Sequence, residues 1–289
     1  MRATLIVNPC SHRVTDERLR AVEETLGRLA DITTVRTERR GHATELARAA
    51  VGDAIFAYGG DGLFNEVLNG AEGTVPVGFI PGGHTNVFPR ALGFPGDPVA
   101  AAGRISLGRT RRISLGRVNG RRFAFASGMG VGAEAVRDVD AFGRTPDGRR
   151  RGDLTFARFV ARRLLTRRGP ELEIAGFGRA AMAFVSNGAV FTCAGRMPIR
   201  LSPHASFELG LDLAAPVRVD GGVVARLAPR LVFGLGLAGA RGVLSGHDLD
   251  RVEVHADVPR TLQADGEDLG DVCDAVFEAE RDAVSVFVP

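Results

Sequence analysis

The chain contains no lysine: all 37 of its basic residues are arginine. That absence excludes whole mechanisms. A P-loop nucleotidase needs the lysine of its glycine-rich loop, a protein kinase its strand lysine, and a Schiff-base enzyme an amine that can deprotonate. Arginine cannot serve in the last role. Cysteine is scarce too. Cys10, Cys193 and Cys273 are odd in number, far apart and without CxxC spacing, so neither a disulfide framework nor a zinc site is indicated. The six histidines, at 12, 42, 84, 204, 247 and 255, show no HExxH or paired spacing, which argues against a histidine metal site. No apolar run approaches the roughly 20 residues that cross a bilayer. "MRATLIVNPC" leads straight into a strand-like segment without a signal-peptide profile, so a cytoplasmic location is expected.

What is present is a globular composition, 45% hydrophobic and 25% charged over 289 residues, enough for one large or two ordinary domains. "ATLIVNP" (3–9) reads as a buried strand ending in a turn. Residues 16–30 carry Leu19, Val22, Leu26 and Leu29 on one helical face. "DITTVRT" (31–37) and "DAIFAYGG" (53–60) are further strands, and "ATELARAAVG" (43–52) and "LFNEVLNG" (63–70) further helices. Asn69-Gly70 reads as a C-cap pair. "VPVGFIPGG" (75–83) is a fourth strand, followed by a helix start. Alternating strands and helices predict a parallel sheet covered on both faces. After about residue 113, candidate strands follow one another quickly between Gly- and Pro-rich turns, the pattern of an antiparallel sandwich or barrel, interrupted by helical stretches at 152–167 and 223–237. "SGMGVGAE" (127–134), with no well-marked helix after it, reads as a strand bend.

Three strand ends in the first half, "IVNPCSHR", "FAYGGDGLFNE" and "FIPGGHTNVF", each lead through small and polar residues into a helix or turn. Parallel sheets bind ligands at such edges, and helix N-termini offer N–H groups to anions. Three edges together suggest a polyphosphate. Gly59, Gly60 and Gly62 would let the backbone bend and phosphate oxygens approach. Pro89 is tolerated only in a first helical turn, which puts the N-cap near Thr85 or Asn86. The alternative is a tight turn in which Asp61 merely caps a helix.

These motifs resemble the diacylglycerol kinase catalytic-domain family, especially its bacterial lipid kinases. The resemblance rests on "NPCS", "GGDGLFNEVLNG", "PGGHTNVFPRALG", "VSNG", "SPHASFELGLDL" and "ADGE", in that order along the chain. It implies an α/β nucleotide-binding domain (1–113), a β-sandwich lipid-substrate domain (114–275) and a C-terminal segment (276–289) returning to the first. It implies ATP and Mg2+ as cofactors. The nucleotide contacts would come from Asn8, Pro9, Cys10, Ser11 and His12, from Thr37, and from Gly59, Gly60, Asp61, Gly62, Leu63, Phe64, Asn65 and Glu66. Gly83, Thr85 and Asn86 would complete the set. Asp61 would organise the magnesium and phosphate end of the nucleotide, and Glu267 would be the catalytic base. A plain hairpin turn at Asp265-Gly266 is the competing reading of "ADGE".

The chain departs from the family pattern in three places. Leu63 stands where a threonine is usual, Val87 where an acid is usual, and Leu209 where the accessory metal loop commonly has aspartate. Glu208 and Asp212 are nearby carboxylates that would substitute as metal ligands. The expected activity is transfer of the γ-phosphate of ATP to a lipid hydroxyl, diacylglycerol first among the candidates. The alternatives are a kinase for a soluble acceptor such as NAD and a catalytically weak nucleotide- or lipid-binding regulator. Residues 144–168 hold nine arginines and an apolar series Phe156, Val160, Leu164, which fits either an anionic membrane surface or a core helix with a solvated face. The expected partners are a membrane lipid and, through that stretch, the inner membrane surface. A homodimer is among the admissible assemblies, and no nucleic-acid partner is expected.

Overall fold

The computed structural model describes residues 1–71, 73, 75–141, 169–194 and 197–289. The arginine stretch 144–168, and with it the helix expected at 152–167, lies outside the described residues. The chain forms two compact units, Met1–Leu115 with Arg281–Pro289, and Gly116–Glu280. From sequence the changes of domain were set at 113/114 and 275/276.

In the first unit, β1 (Arg2–Val7), α1 (Asp16–Leu26), β2 (Asp31–Arg36), α2 (His42–Ala49), β3 (Ala54–Gly59), α3 (Asp61–Gly70) and β4 (Val77–Pro81) alternate strictly. α4 (Val87–Ala91) and α5 (Pro98–Ile105) follow. β1 to β4 pair in parallel: β2 with β1, β1 with β3, β3 with β4, and β4 with the final residues of the chain through Val77 and Val286. Apolar side chains on both faces dictate this buried sheet. Leu5, Ile6, Phe56, Phe79 and Ile80 are fully enclosed, and Phe79 packs edge-on against Phe64 and Phe88 at 5.3 and 4.7 Å. Thr15 caps α1, its hydroxyl accepting from Arg18 N, and Asp97 caps α5 ahead of Pro98. α1 stops at Leu26, earlier than its apolar spacing suggests, because Gly27 closes it as C-cap.

Gly70 has a different purpose from the one its sequence suggests. α3 runs through Gly70 to a C-cap at Ala71. A Cβ on Gly70 would stand 2.2 Å from the Thr44 carbonyl oxygen and 2.8 Å from Ala47 Cβ. Glycine is there to let α2 and α3 touch, and the left-handed cap expected of Asn69-Gly70 does not form.

The second unit is antiparallel. β5 (Thr110–Val118) leads into β6 (Arg121–Phe123), β7 (Ala126–Gly130) and α6 (Val131–Ala141). Next come β8 (Leu172–Ile174), β9 (Gly178–Ala180), β10 (Met182–Ser186), β11 (Thr192–Ala194), β12 (Met197–Ile199) and β13 (Leu211–Pro216). α7 (Gly221–Val232), β14 (Val243–Leu249), β15 (Arg251–Ala264) and β16 (Glu267–Phe287) complete the chain. The strand order is β14-β13-β10-β7-β15-β16, and β15 shifts register between His255 and Arg260. That irregularity lets its first half pair with β8 and its second half with β7. One apolar cluster therefore collects Ala183, Val185 and Leu213 on one side and Leu172, Val254 and Phe277 on the other, as a β-sandwich does. The alternate residues of β10, Met182 and Phe184, face a second cluster beneath α7. "SGMGVGAE" is more than a strand bend: Gly130, at φ 94°, turns β7 directly into α6. The closing "AVSVFVP" is the end of β16, which starts at Glu267.

Candidate functional site

β2, β1, β3 and β4 lie side by side in that order, so the chain direction across the sheet reverses between β1 and β3. Loops at such a switch point part to opposite faces and leave a crevice at the carboxyl edge. The two loops that open there are residues 8–12 and 60–62, with 82–86 beside them.

The loops are built mainly from backbone. Asn8 N donates to Tyr58 O at 3.1 Å, and its Oδ1 accepts from Cys10 N at 3.0 Å, which fixes the turn after β1. Arg13 ties that turn to the third loop: its N–H donates to Gly82 O at 2.8 Å and its guanidinium to Gly96 O at 2.6 Å. The Tyr58 hydroxyl donates to Arg13 O at 2.8 Å, and burial pushes that phenol up to about 12. The rings of His12 and His84 stack with centroids 6.2 Å apart. Thr37 N donates to Val7 O at 2.8 Å at the end of β2.

Glycine in these loops supplies room. Gly82 N and Gly83 N both donate to Gly59 O, at 2.6 and 3.0 Å. A Cβ on Gly83 would stand 2.7 Å from Gly60 Cα, and one on Gly82 3.0 Å from Gly59 Cα. Two main chains thus pass in contact, with no side chain between them and whatever binds above. Gly60, the N-cap of α3, has no side chain to satisfy the first turn of that helix. Gly82, Arg13 and Tyr58 were not singled out from sequence. The Gly82-Gly83 pair mirroring Gly59-Gly60 was the available signal for the first of them.

The two acids of "GGDGLFNE" both reach other helices. Asp61 Oδ2 accepts from Val87 N at 3.0 Å and Oδ1 from Phe88 N at 3.1 Å, so this carboxylate caps α4. Asn86 is the N-cap residue by position, at φ 50°, but its amide bridges Gly83 instead. Glu66 accepts from Gly41 N at 2.9 Å and Ala43 N at 3.1 Å, at the start of α2. The helix-capping alternative for Asp61 is therefore what the hydrogen bonds display, with the cap set on a different helix. Leu63, Phe64 and Asn65 are buried. Leu63 fills the space where a Cβ on Gly59 would lie, 2.5 Å from its Cδ2. Their side chains are interior, and Phe64 N–H already donates to Gly60 O at 3.2 Å. Pro9, Cys10 and His12 are exposed, and Ser11, Gly83 and Thr85 half-buried.

In the second unit, "ADGE" is a tight hairpin. Asp265 (φ 49°) and Gly266 (φ 80°) form its corner, and Ala264 pairs with Glu267. Asp265 is 7% exposed and accepts from Ala124 N, Phe125 N and Ala126 N at 2.6, 3.0 and 3.2 Å. The Glu267 side chain, 17% exposed, meets Arg121 Nη2 at 2.6 Å. Next to it, hydrogen bonds from Arg137 hold the carboxyls of Asp268 and Asp271 below the usual range, and the same bonds raise the Arg137 guanidinium.

The residues do not make a metal cage by themselves. Among the described residues, no three His, Cys, Asp or Glu side chains are grouped to hold an ion. Asp212 is buried, its Oδ1 meeting His247 Nδ1 at 2.8 Å and Asp248 N at 3.2 Å, and Glu208 hydrogen-bonds to Ser206. Magnesium is commonly held by one or two carboxylates together with substrate phosphates, so the ion would have to arrive with its nucleotide.

Residues 2–118 match the family model for the diacylglycerol kinase catalytic domain. Over 147 residues the chain is 37% identical to a protein named diacylglycerol kinase from Bacillus subtilis (strain 168), covering 48% of each. The chain thus spans about half the length of the curated relatives it matches. Among solved structures it is similar to a diacylglycerol kinase from Bacillus anthracis str. Sterne, with TM-score 0.73 and 20% identity over 100% of this chain and 97% of that one. It is more distantly similar to an NAD kinase from Archaeoglobus fulgidus solved with ATP, with TM-score 0.53 and 14% identity over 99% and 93% of the two chains. At such identities these likenesses concern the fold alone.

Proposed function

We infer that this chain, whose residues 2–118 carry the diacylglycerol kinase catalytic domain, is an ATP-dependent lipid kinase that forms phosphatidic acid from diacylglycerol. The observation that carries the reading is the backbone contact of Gly59-Gly60 with Gly82-Gly83 beneath the uncapped start of α3. Such a surface suits phosphate oxygens, which approach main-chain N–H groups closely and are favoured at a helix N-terminus. Residues 8–12, Thr37 and Thr85 are the proposed flanking contacts. Asp61 acts by fixing the start of α4, and so the 82–86 loop.

In the reaction the acceptor hydroxyl oxygen bonds to the γ-phosphorus, the bond to the bridging oxygen breaks, and ADP leaves with that electron pair. The hydroxyl proton passes to the Glu267 carboxylate. Arg121 holds that carboxylate in one orientation. Magnesium, bound with the nucleotide, supplies charge neutralisation that a lysine-free chain must otherwise draw from arginine. Among the described residues no helix is long and apolar enough to cross a membrane. Peripheral work at the inner membrane surface, from the cytoplasm, is the proposed setting.

The test is a single incubation with labelled ATP and magnesium, offering diacylglycerol, ceramide, a total lipid extract and NAD. Label in organic-phase phosphatidic acid is expected. Label in NADP would replace the reading with the soluble-acceptor one. Nucleotide binding without transfer to any acceptor would leave a regulator.

A further inference from the structure

α7 is amphipathic with an unusual outer face. Val223, Leu227 and Leu231, four residues apart, pack on the second apolar cluster. The residues turned away from it include Ala225, Arg226, Ala228, Pro229 and Val232, all exposed. Beyond the helix the exposure of large apolar groups rises further: Val232 is 56% exposed, Phe233 77% and Leu235 57%. Three such side chains within four residues would normally be hidden.

The loop that displays them is tightly built. Gly234, Gly236 and Gly239 take φ of 70°, 64° and 72°, values that favour glycine. A Cβ on Gly236 would lie 2.6 Å from Leu201 O, and Leu237 N donates to that same oxygen at 2.7 Å. Arg230 reaches forward from α7 to the carbonyls of Gly236 and Ala238, at 3.0 and 3.4 Å. Arg226 donates to Arg241 O at 3.0 Å. Phe233 and Leu235 are therefore held out on a fixed frame.

Charge says what the frame faces. From Gly221 to His247 there is no acidic residue, while Arg226, Arg230 and Arg241 are all present. Asp220, just before, turns its carboxylate to Val223 N as the helix cap. An apolar tip on a segment that carries arginines and no acid is complementary to a surface with anionic phosphates outside and hydrocarbon below. Arginine suits it, since its fork pairs with phosphate while its stem lies along apolar surface.

We propose that the α7 tip, Val232 to Leu235 with Arg226, Arg230 and Arg241, is the element by which the protein docks on an anionic phospholipid bilayer. The choice of occupant rests on the lipid-kinase reading, whose acceptor resides in such a bilayer. The test uses the full chain and vesicles of phosphatidylcholine with and without phosphatidylglycerol, read by co-sedimentation. Wild type should partition onto the anionic vesicles, and Phe233→Asp with Leu235→Asp should lower that partition at least about tenfold. Both side chains are on the surface, so the melting temperature and the phosphorylation of detergent-dispersed diacylglycerol should be unchanged. Equal partition of variant and wild type, or equal wild-type binding to neutral and anionic vesicles, would overturn the proposal. So would a wild-type dimer in analytical ultracentrifugation that the double variant dissolves, because the tip would then be a self-association surface. If dispersed diacylglycerol is not phosphorylated by wild type, the lipid-kinase reading fails, while vesicle partition still decides the docking question on its own.

Discussion

Asp61-Gly62 follows β3 in the first unit and Asp265-Gly266 joins β15 to β16 in the second, and both aspartates turn both oxygens to main-chain N–H groups. What differs is the partner. Asp61 takes two N–H groups at the start of a helix and is partly exposed, whereas Asp265 takes three at the bend that joins β6 to β7 and is buried. A motif aspartate thus shapes the backbone of its own loop in both regions. In the proposed reading the reacting groups are their neighbours: the start of α3 in the first region and Glu267 in the second.

The sharpest way to break this comparison is Glu267→Gln. If Glu267 takes the proton, kcat should fall about a hundred- to ten-thousand-fold with ATP affinity by calorimetry nearly constant. A silent substitution would reduce the hairpin to a turn. Next is Asp265→Ala, which strips the acceptor from three buried N–H groups and should cost about 3 kcal/mol or more in urea unfolding. A loss under about 1 kcal/mol would mean that water replaces it. Asp61→Ala should be milder for stability, about 1–2 kcal/mol for a lost helix cap. It should nevertheless abolish most activity, because the 82–86 loop loses its anchor. Asp61→Asn, which keeps one acceptor oxygen, should recover part of both; recovery of stability alone would give Asp61 a direct role with the phosphates.

The smallest effect concerns exposed His255. Its hydrogen bond to Asp274, with the charges of Asp274 and Asp257 nearby, raises the imidazole above its ordinary range. A raised folded value stabilises below the unfolded one, about 6.5, and that contribution disappears as pH rises through the folded value. The melting-temperature gap between wild type and His255→Asn should therefore narrow from about pH 5.5 to about pH 8.5. A gap that widens over that window would reverse the sign.

The parallel sheet was legible because its strands are continuous apolar runs between amphipathic helices, and the three loops because small residues follow those runs directly. Other features were hidden for physical reasons. α6 begins in glycines, whose low helix propensity masks a start that Gly130 needs for its positive φ. The length of β16 was obscured by acids and glycine at 268–271, residues that read as a turn and here lie on its half-buried first stretch. Gly70 looks like a cap because sequence records spacing along one helix and says nothing of the carbonyl of another. The engagements of Asp61 and Glu66 were out of reach for the same reason: their partners are 23 to 27 positions away in the chain.

Those two engagements bind the kinetics of three helices together. Asp61 and Glu66 sit within two turns of α3, and from there they hold the first amides of α4 and α2. If α3 opens, the starts of both neighbours lose their acceptors at the same moment. Local opening in this region is then a single event, and the amides of Gly41, Ala43, Val87 and Phe88 should exchange with solvent deuterium at one common rate, as members of one cooperative block.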